Sequence, residues 1–113
     1  MNKYNIGMKG QRIAEEYLIK QDIKIISHNY RTKYGEIDLI ALDGEYIVFI
    51  EVKYRSSLKY GSPAESVGFY KQQKIIKTAQ YYLCEYEQYN KYIRFDIIEI
   101  LGKSINHIKN AFY

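Results

Sequence analysis

Apolar residues change spacing several times along the chain, and each change marks an element. Between about Lys9 and Lys20, Ile13, Tyr17 and Leu18 recur a turn apart with Ala14 beside them, so one stripe of a helix can face a core. After Gln21 and Asp22, the segment from Ile23 to Arg31 is rich in β-branched and aromatic residues and predicts a strand, followed by the polar connector Thr32–Gly35. Residues 36–42, the dipeptide Asp43-Gly44 and residues 45–55 then predict a β-hairpin. The run from Tyr46 to Val52 is almost unbroken in its hydrophobicity, as in a central strand covered on both faces. Residues 56–63 read as a loop, with Pro63 suited to the start of a helix.

From about Phe69 to Tyr89, Ile75, Ile76, Ala79, Tyr82, Leu83 and Tyr86 fall at helical spacing. Lys74 and Lys77 lie on the other side and Lys71 at the boundary. Residues 92–100 predict a further strand, and residues 105–113 a short helix or an irregular tail. The order helix, three strands, helix, strand predicts an α/β sandwich whose helices cover a mixed sheet.

A length of 113 residues suits one domain, residues 1–113, and leaves no room for two ordinary ones. With 47% hydrophobic and 27% charged residues the composition is that of a globular chain and not of a disordered one. The single cysteine, Cys84, excludes an internal disulfide, and His28 and His107 form no zinc-ligand spacing. No signal-peptide core and no apolar run of membrane-spanning length occurs, so a reducing cytoplasm is expected and a membrane is not. Seventeen Lys and Arg against thirteen Asp and Glu leave a formal charge of +4, a modest bias toward a polyanionic partner.

The hairpin carries charge where a core would prefer carbon. With Asp43-Gly44 as the turn, Asp38 faces Phe49 and Glu36 faces Glu51. Alternation then puts Glu36, Asp38, Glu51 and Lys53 on one face, with Asp38 and Glu51 diagonal at about 7 to 8 Å between Cα atoms. Three carboxylates and one ammonium leave an excess of two negative charges, which unpaired burial penalises and a divalent cation offsets. Carboxylates are hard ligands, so magnesium or manganese is expected there and zinc is not. The structural alternative is an ion pair of Lys53 with one acid, which leaves two acids unexplained.

Asp38 followed by Glu51-Val52-Lys53 on the next strand resembles the PD-(D/E)XK nuclease core. More closely, the chain resembles the YraN-like family of small bacterial proteins, similar to archaeal Holliday junction resolvases. The matches span nearly the whole chain: Gly7 and Gly10 ahead of the first helix, Ala14 and Leu18 in it, Asn29-Tyr30-Arg31, residues 35–41, residues 49–53 with Arg55, Lys71 in the later helix, and Arg94-Phe95-Asp96. Ile37 stands where the signature has Pro, and Gln11 where this family usually has Glu.

The resemblance implies a restriction-endonuclease-like three-layer sandwich with the acidic hairpin in a mixed central sheet. It also implies metal-dependent phosphodiester hydrolysis of branched or structured DNA. Asp38 and Glu51 would hold magnesium or manganese with the carbonyl of Val52, and Lys53 would orient the attacking water or steady the developing charge. Glu36 is a supporting candidate, as is Glu15, one turn after Gln11 and able to stand in for a missing first-helix carboxylate. The neutral Gln11 keeps a catalytically inactive nucleic-acid-binding module as the alternative. A homodimer is compatible with cutting both strands of a symmetric junction.

Arg31, Lys33, Arg55 and Lys59, interleaved with tyrosines, flank the hairpin; Arg31, Arg55 and Lys71 are the candidates for phosphate contact. Lys74 and Lys77 read as a solvated face, and Gln72 and Gln73 as ordinary helix residues. Asp96 is expected to pair with Arg94 or the first helix, both histidines to be satisfied or solvent-facing, and Cys84 to be buried.

Overall fold

The computed structural model describes residues 3–55, 67–88 and 90–113, with side chains of the first helix from Met8 onward. The elements are α1 (Lys3–Lys20), β1 (Lys24–Thr32), β2 (Gly35–Asp43), β3 (Tyr46–Arg55), α2 (Phe69–Glu85), β4 (Tyr92–Leu101) and β5 (Ser104–Ile108). The expectations for Pro63 and Lys59 lie outside the described residues. Five strands form one sheet in the order β1-β2-β3-β4-β5, with β3 and β4 parallel and all other neighbours antiparallel. A parallel pair requires a crossover, and α2 lies within it.

Each helix covers one face. On one side Ala14 and Leu18 of α1 pack on Leu39, Ala41, Val48, Ile50, Ile98 and Ile100. On the other, Ile75, Ala79 and Tyr82 of α2 pack on Ile37, Ile40, Phe49, Phe95 and Ile97. This is the expected three-layer α/β sandwich of restriction-endonuclease-like architecture, with β3 buried from both sides from Ile47 to Ile50. Among the described residues no helix is long and apolar enough to cross a membrane.

The ends of the elements refine the reading of the sequence. Helix α1 begins at Lys3, not at about Lys9, so Gly7 and Gly10 lie inside it. It stops where Asp22 takes a φ of 62° and the Ile23 amide bonds back to the Leu18 carbonyl, which brings Ile23 against Leu18 in the core. The hairpin turn is Gly44-Glu45, because Asp43 pairs with Tyr46; Gly44 alone has positive φ (60°), as a turn with Gly in its first central place requires. Gly102 has the same φ in the turn to β5, and residues 104–108 pair with β4 where a short helix or tail was expected. Helix α2 ends at Glu85, short of Tyr89, and Cys84 is exposed rather than buried, since it sits on the side of α2 away from Ala79 and Tyr82.

Gly10 sits where α1 closely approaches Tyr54 of the sheet. A Cβ there would stand 2.9 Å from the Cβ of Tyr54 on β3, an atom fixed to the backbone. Gly10→Ala is therefore expected to lower stability by about 1 to 3 kcal/mol from overpacking, exceeding the gain of about 1 kcal/mol in helix propensity. Thermal unfolding checks this, and a higher melting temperature for the variant would contradict it.

Candidate active site

The shift of the turn by one residue preserves side-chain parity but changes the partners. Extending the register from Leu39↔Ile50 puts Asp38 directly across from Glu51 instead of diagonal to it. The ladder itself stops there. In place of the next backbone bond, Oδ2 of Asp38 accepts the Val52 N–H at 2.8 Å, so the carboxylate is wedged where the two strands part.

Strand β2 changes phase at that point. Ile37 and Ile40 both lie under α2, while Leu39 and Ala41 lie under α1, a pattern that unbroken alternation forbids. Opposite this step, between the pairs His28↔Leu39 and Tyr30↔Ile37, Asn29 of β1 holds a φ of 50°, a conformation asparagine tolerates better than most residues. The four-charge face expected from strict alternation therefore loses Glu36. With Ile37 turned to α2, Glu36 takes the opposite side and pairs with Arg31 at 3.5 Å, where Arg31 is largely exposed.

Asp38 and Glu51 lie within hydrogen-bonding reach of each other. Burial first, and the charge of Glu51 second, push the Asp38 carboxyl up to about 7, although the Val52 amide pulls it back. In the metal-free protein near neutral pH a proton thus offsets part of the charge on the pair. Two lysines converge on Glu51: Lys71 of α2 at 3.3 Å from Oε1, and Lys53 of β3 at 3.9 Å from the same oxygen. Burial, and then the contact with Lys71, lower the pKa of Lys53. Burial also works against the charge of Lys71, but the carboxylate of Glu51 outweighs it and its pKa rises.

The donors suit a hard divalent ion. They are carboxylate oxygens, but the excess of negative charge expected from the sequence is absent: with Glu36 turned away and Lys71 brought in, two acids face two lysines, and among the described residues no three His, Cys, Asp or Glu side chains gather as a metal site. One or two carboxylates are what magnesium usually takes from a protein, leaving its other positions to water and phosphate. Val52 meets Asp38 through its amide, and its carbonyl remains the expected further oxygen.

The first helix offers an amide. Gln11 is buried and exchanges two hydrogen bonds with Asn29, Nε2 to Oδ1 at 2.9 Å and Nδ2 to Oε1 at 3.1 Å, and so braces the distorted strand beside Asp38. Glu15 instead meets Nδ1 of His28 at 3.0 Å. Arg55 ends β3 beyond Lys53, half-buried. Gln72 caps the chain before α2 by donating to the Val67 carbonyl at 2.8 Å. Lys71, expected at the edge of the amphipathic stripe and as a phosphate contact, is carried by the α2 packing onto Glu51.

Away from the acids, Asp96 is fully buried and pairs with Arg94 through both oxygens, at 2.9 and 3.0 Å. It also meets Nε2 of His107 at 2.6 Å and accepts the Asn110 N–H at 3.0 Å. His107 is thereby satisfied, its other nitrogen lying 3.1 Å from the Tyr17 hydroxyl on α1.

Comparison with known proteins finds whole-chain relatives. The family model described as uncharacterised protein family UPF0102 matches residues 10–100. A UPF0102 protein of Clostridioides difficile strain 630 is 49% identical over 114 residues, covering 99% of this chain and 100% of the relative. Another, from Caldanaerobacter subterraneus subsp. tengcongensis, is 47% identical over 121 residues, with 99% and 98% covered. A third, from Thermodesulfovibrio yellowstonii, is 46% identical over 113 residues and covers both chains completely.

Proposed function

We propose that this chain, which belongs to the uncharacterised protein family UPF0102, is a metal-dependent phosphodiesterase that binds and hydrolyses branched or structured DNA. YraN-like proteins form this family, within the PD-(D/E)XK superfamily. The observation that carries the reading is the pair Asp38 and Glu51, forced side by side where β2 and β3 part, with Lys53 and Lys71 both on Glu51. Magnesium or manganese, held by the two carboxylates and the Val52 carbonyl, would neutralise phosphate charge and acidify a water.

The chain's own groups do the rest. The Val52 amide fixes one oxygen of Asp38, whose carboxyl lies within reach of Glu51. Lys53, partly withdrawn from solvent, places an ammonium beside the reacting phosphate, where charge builds in the transition state. Lys71 supplies a phosphate contact beside it, with Arg55 at the end of β3 and Arg31 on β1 contacting phosphates further out. Incubation with junction, flap and single-stranded substrates plus either metal is expected to give cleavage that Asp38→Ala abolishes. Equal cleavage by both proteins, or none by either, overturns the enzymatic reading. In the cytoplasm the same reading expects a homodimer wherever both strands of a symmetric junction are cut, and sedimentation tests for it.

One feature favours a second reading, a nucleic-acid-binding module without catalysis. Gln11 stands where the family usually has a carboxylate, and both ends of its amide are committed to Asn29. Manganese calorimetry separates the two. Binding heat that Glu51→Gln removes supports the nuclease; salt-dependent DNA binding with no manganese affinity supports the module.

A further inference from the structure

A basic and aromatic strip runs from the acidic pair along the outer side of α2. It begins at Lys71 on Glu51 and passes Lys74, which packs beside Gly35 at the start of β2. It then reaches the β1–β2 turn, where the Tyr34 ring gathers two ammonium groups: Lys77 at 4.4 Å and Lys33 at 5.3 Å from its centroid. Next to Tyr34, at 5.3 Å between ring centroids, stands Tyr81, 44% exposed. Tyr81 is also a wall of an open groove of about 570 Å³ between β1 and the end of α2, bordered by Arg31 and Tyr86. The carboxylate at its rim, Glu85, is occupied in accepting the Tyr30 hydroxyl at 2.8 Å.

We infer that this strip is the track of a single nucleic-acid strand leaving the acidic pair: its phosphates lie on Lys74, Lys77 and Lys33, and one of its bases stacks on Tyr81 in the groove. The inference rests on the nucleic-acid reading above and narrows it to strands whose bases are unpaired. An aromatic face can be used only by a base free of its partner, and lysines alternating with an exposed ring are the elements that hold single strands without reading sequence. The rise along α2 from Lys71 to Tyr81 is about 15 Å. That accommodates about four nucleotides at the roughly 3.4 Å per residue of a stacked strand. Lys77 is held by Tyr34 in the free protein and needs only to turn outward to meet a phosphate.

Fluorescence anisotropy of a labelled single-stranded oligonucleotide in EDTA, with a duplex of equal length beside it, tests the track apart from hydrolysis. Tyr81→Ala is expected to weaken single-strand binding ~10-fold and to leave duplex binding unchanged, while Tyr81→Phe retains wild-type affinity. Lys77→Ala is expected to lower the salt slope for the single strand by about 0.7. The track is overturned if Tyr81→Ala and Lys77→Ala bind the single strand as wild type does, or if Tyr81→Ala weakens both ligands equally. Tyr81-dependent binding by a protein that cleaves nothing upholds the track and overturns the hydrolytic reading; cleavage with binding indifferent to Tyr81 does the reverse.

Discussion

Asp96→Ala is expected to cost on the order of 3 to 5 kcal/mol, the largest stability loss of any single side chain outside the apolar core. The substitution strands Arg94, whose guanidinium is mostly buried and would keep Asp43 at 2.9 Å and the Tyr46 ring at 5.4 Å, and it frees His107 and the Asn110 amide. The pKa of Asp96 states the same coupling. Burial alone would raise it, yet His107, Arg94 and the Asn110 amide bring the carboxyl below its usual range. For a domain of this length the loss corresponds to a fall of about 10 to 20 °C in Tm. Replacing Arg94 and Asp96 together by apolar residues is expected to recover much of it, because the cost arises from the charge left behind and not from the pair's net attraction. Urea unfolding of the single and double variants measures both; a loss below about 1 kcal/mol for Asp96→Ala would show that the network contributes little.

That network shows where the sequence stops being informative. Arg94 and Asp96 sit two apart on one strand, so their pairing was legible from alternation alone. His107 was not, because it reaches Asp96 only once β5 folds back on β4, and β5 was hidden. Its apolar residues Ile105 and Ile108 are three apart, which imitates a helix, and the signal that did mark it, Gly102 after a long strand, is the same kind of turn as Gly44. The central hairpin was legible because its apolar runs are long and Gly44 fixes the turn to within one residue. That one residue mattered little for parity and much for partners, since it moved Asp38 from facing Phe49 to facing Glu51.

The acidic pair was legible for the same reason, and its surroundings were not. The phase change at Asp38 depends on Asn29 in a neighbouring strand, and strict alternation has no means of showing it. Lys71 and Gln11 reach the site through the packing of helices on opposite faces, set by many weak contacts between residues distant in sequence. Helical spacing shows which stripe of a helix faces the sheet. It does not show which strand residue lies beneath each turn.

Asp38→Asn is expected to separate the stability of the metal-free fold from metal affinity. The Asp38 carboxyl is pushed up to about 7 in the folded protein by burial and by Glu51, against about 3.9 in an unfolded chain. Between those values the folded state binds more protons than the unfolded one, so stability falls as pH rises. The contribution is fully present below about pH 4 and is lost as pH passes through about 7. Asparagine keeps an oxygen for the Val52 amide and offers Glu51 an N–H in place of the carboxyl proton, without a charge to desolvate. Without metal, the variant is therefore expected to exceed wild type only slightly near pH 5 and by an amount that approaches a few kcal/mol at pH 8. Under the proposed metal binding, manganese is expected to narrow that gap. At 100 times its dissociation constant it stabilises wild type by about 2.7 kcal/mol, whereas the variant has lost an anionic ligand and gains little. Thermal unfolding of both proteins at pH 5 and pH 8, with EDTA and with manganese, gives the four comparisons. Parallel responses of the two proteins to pH and to manganese would show that Asp38 neither carries the strained charge nor holds the ion.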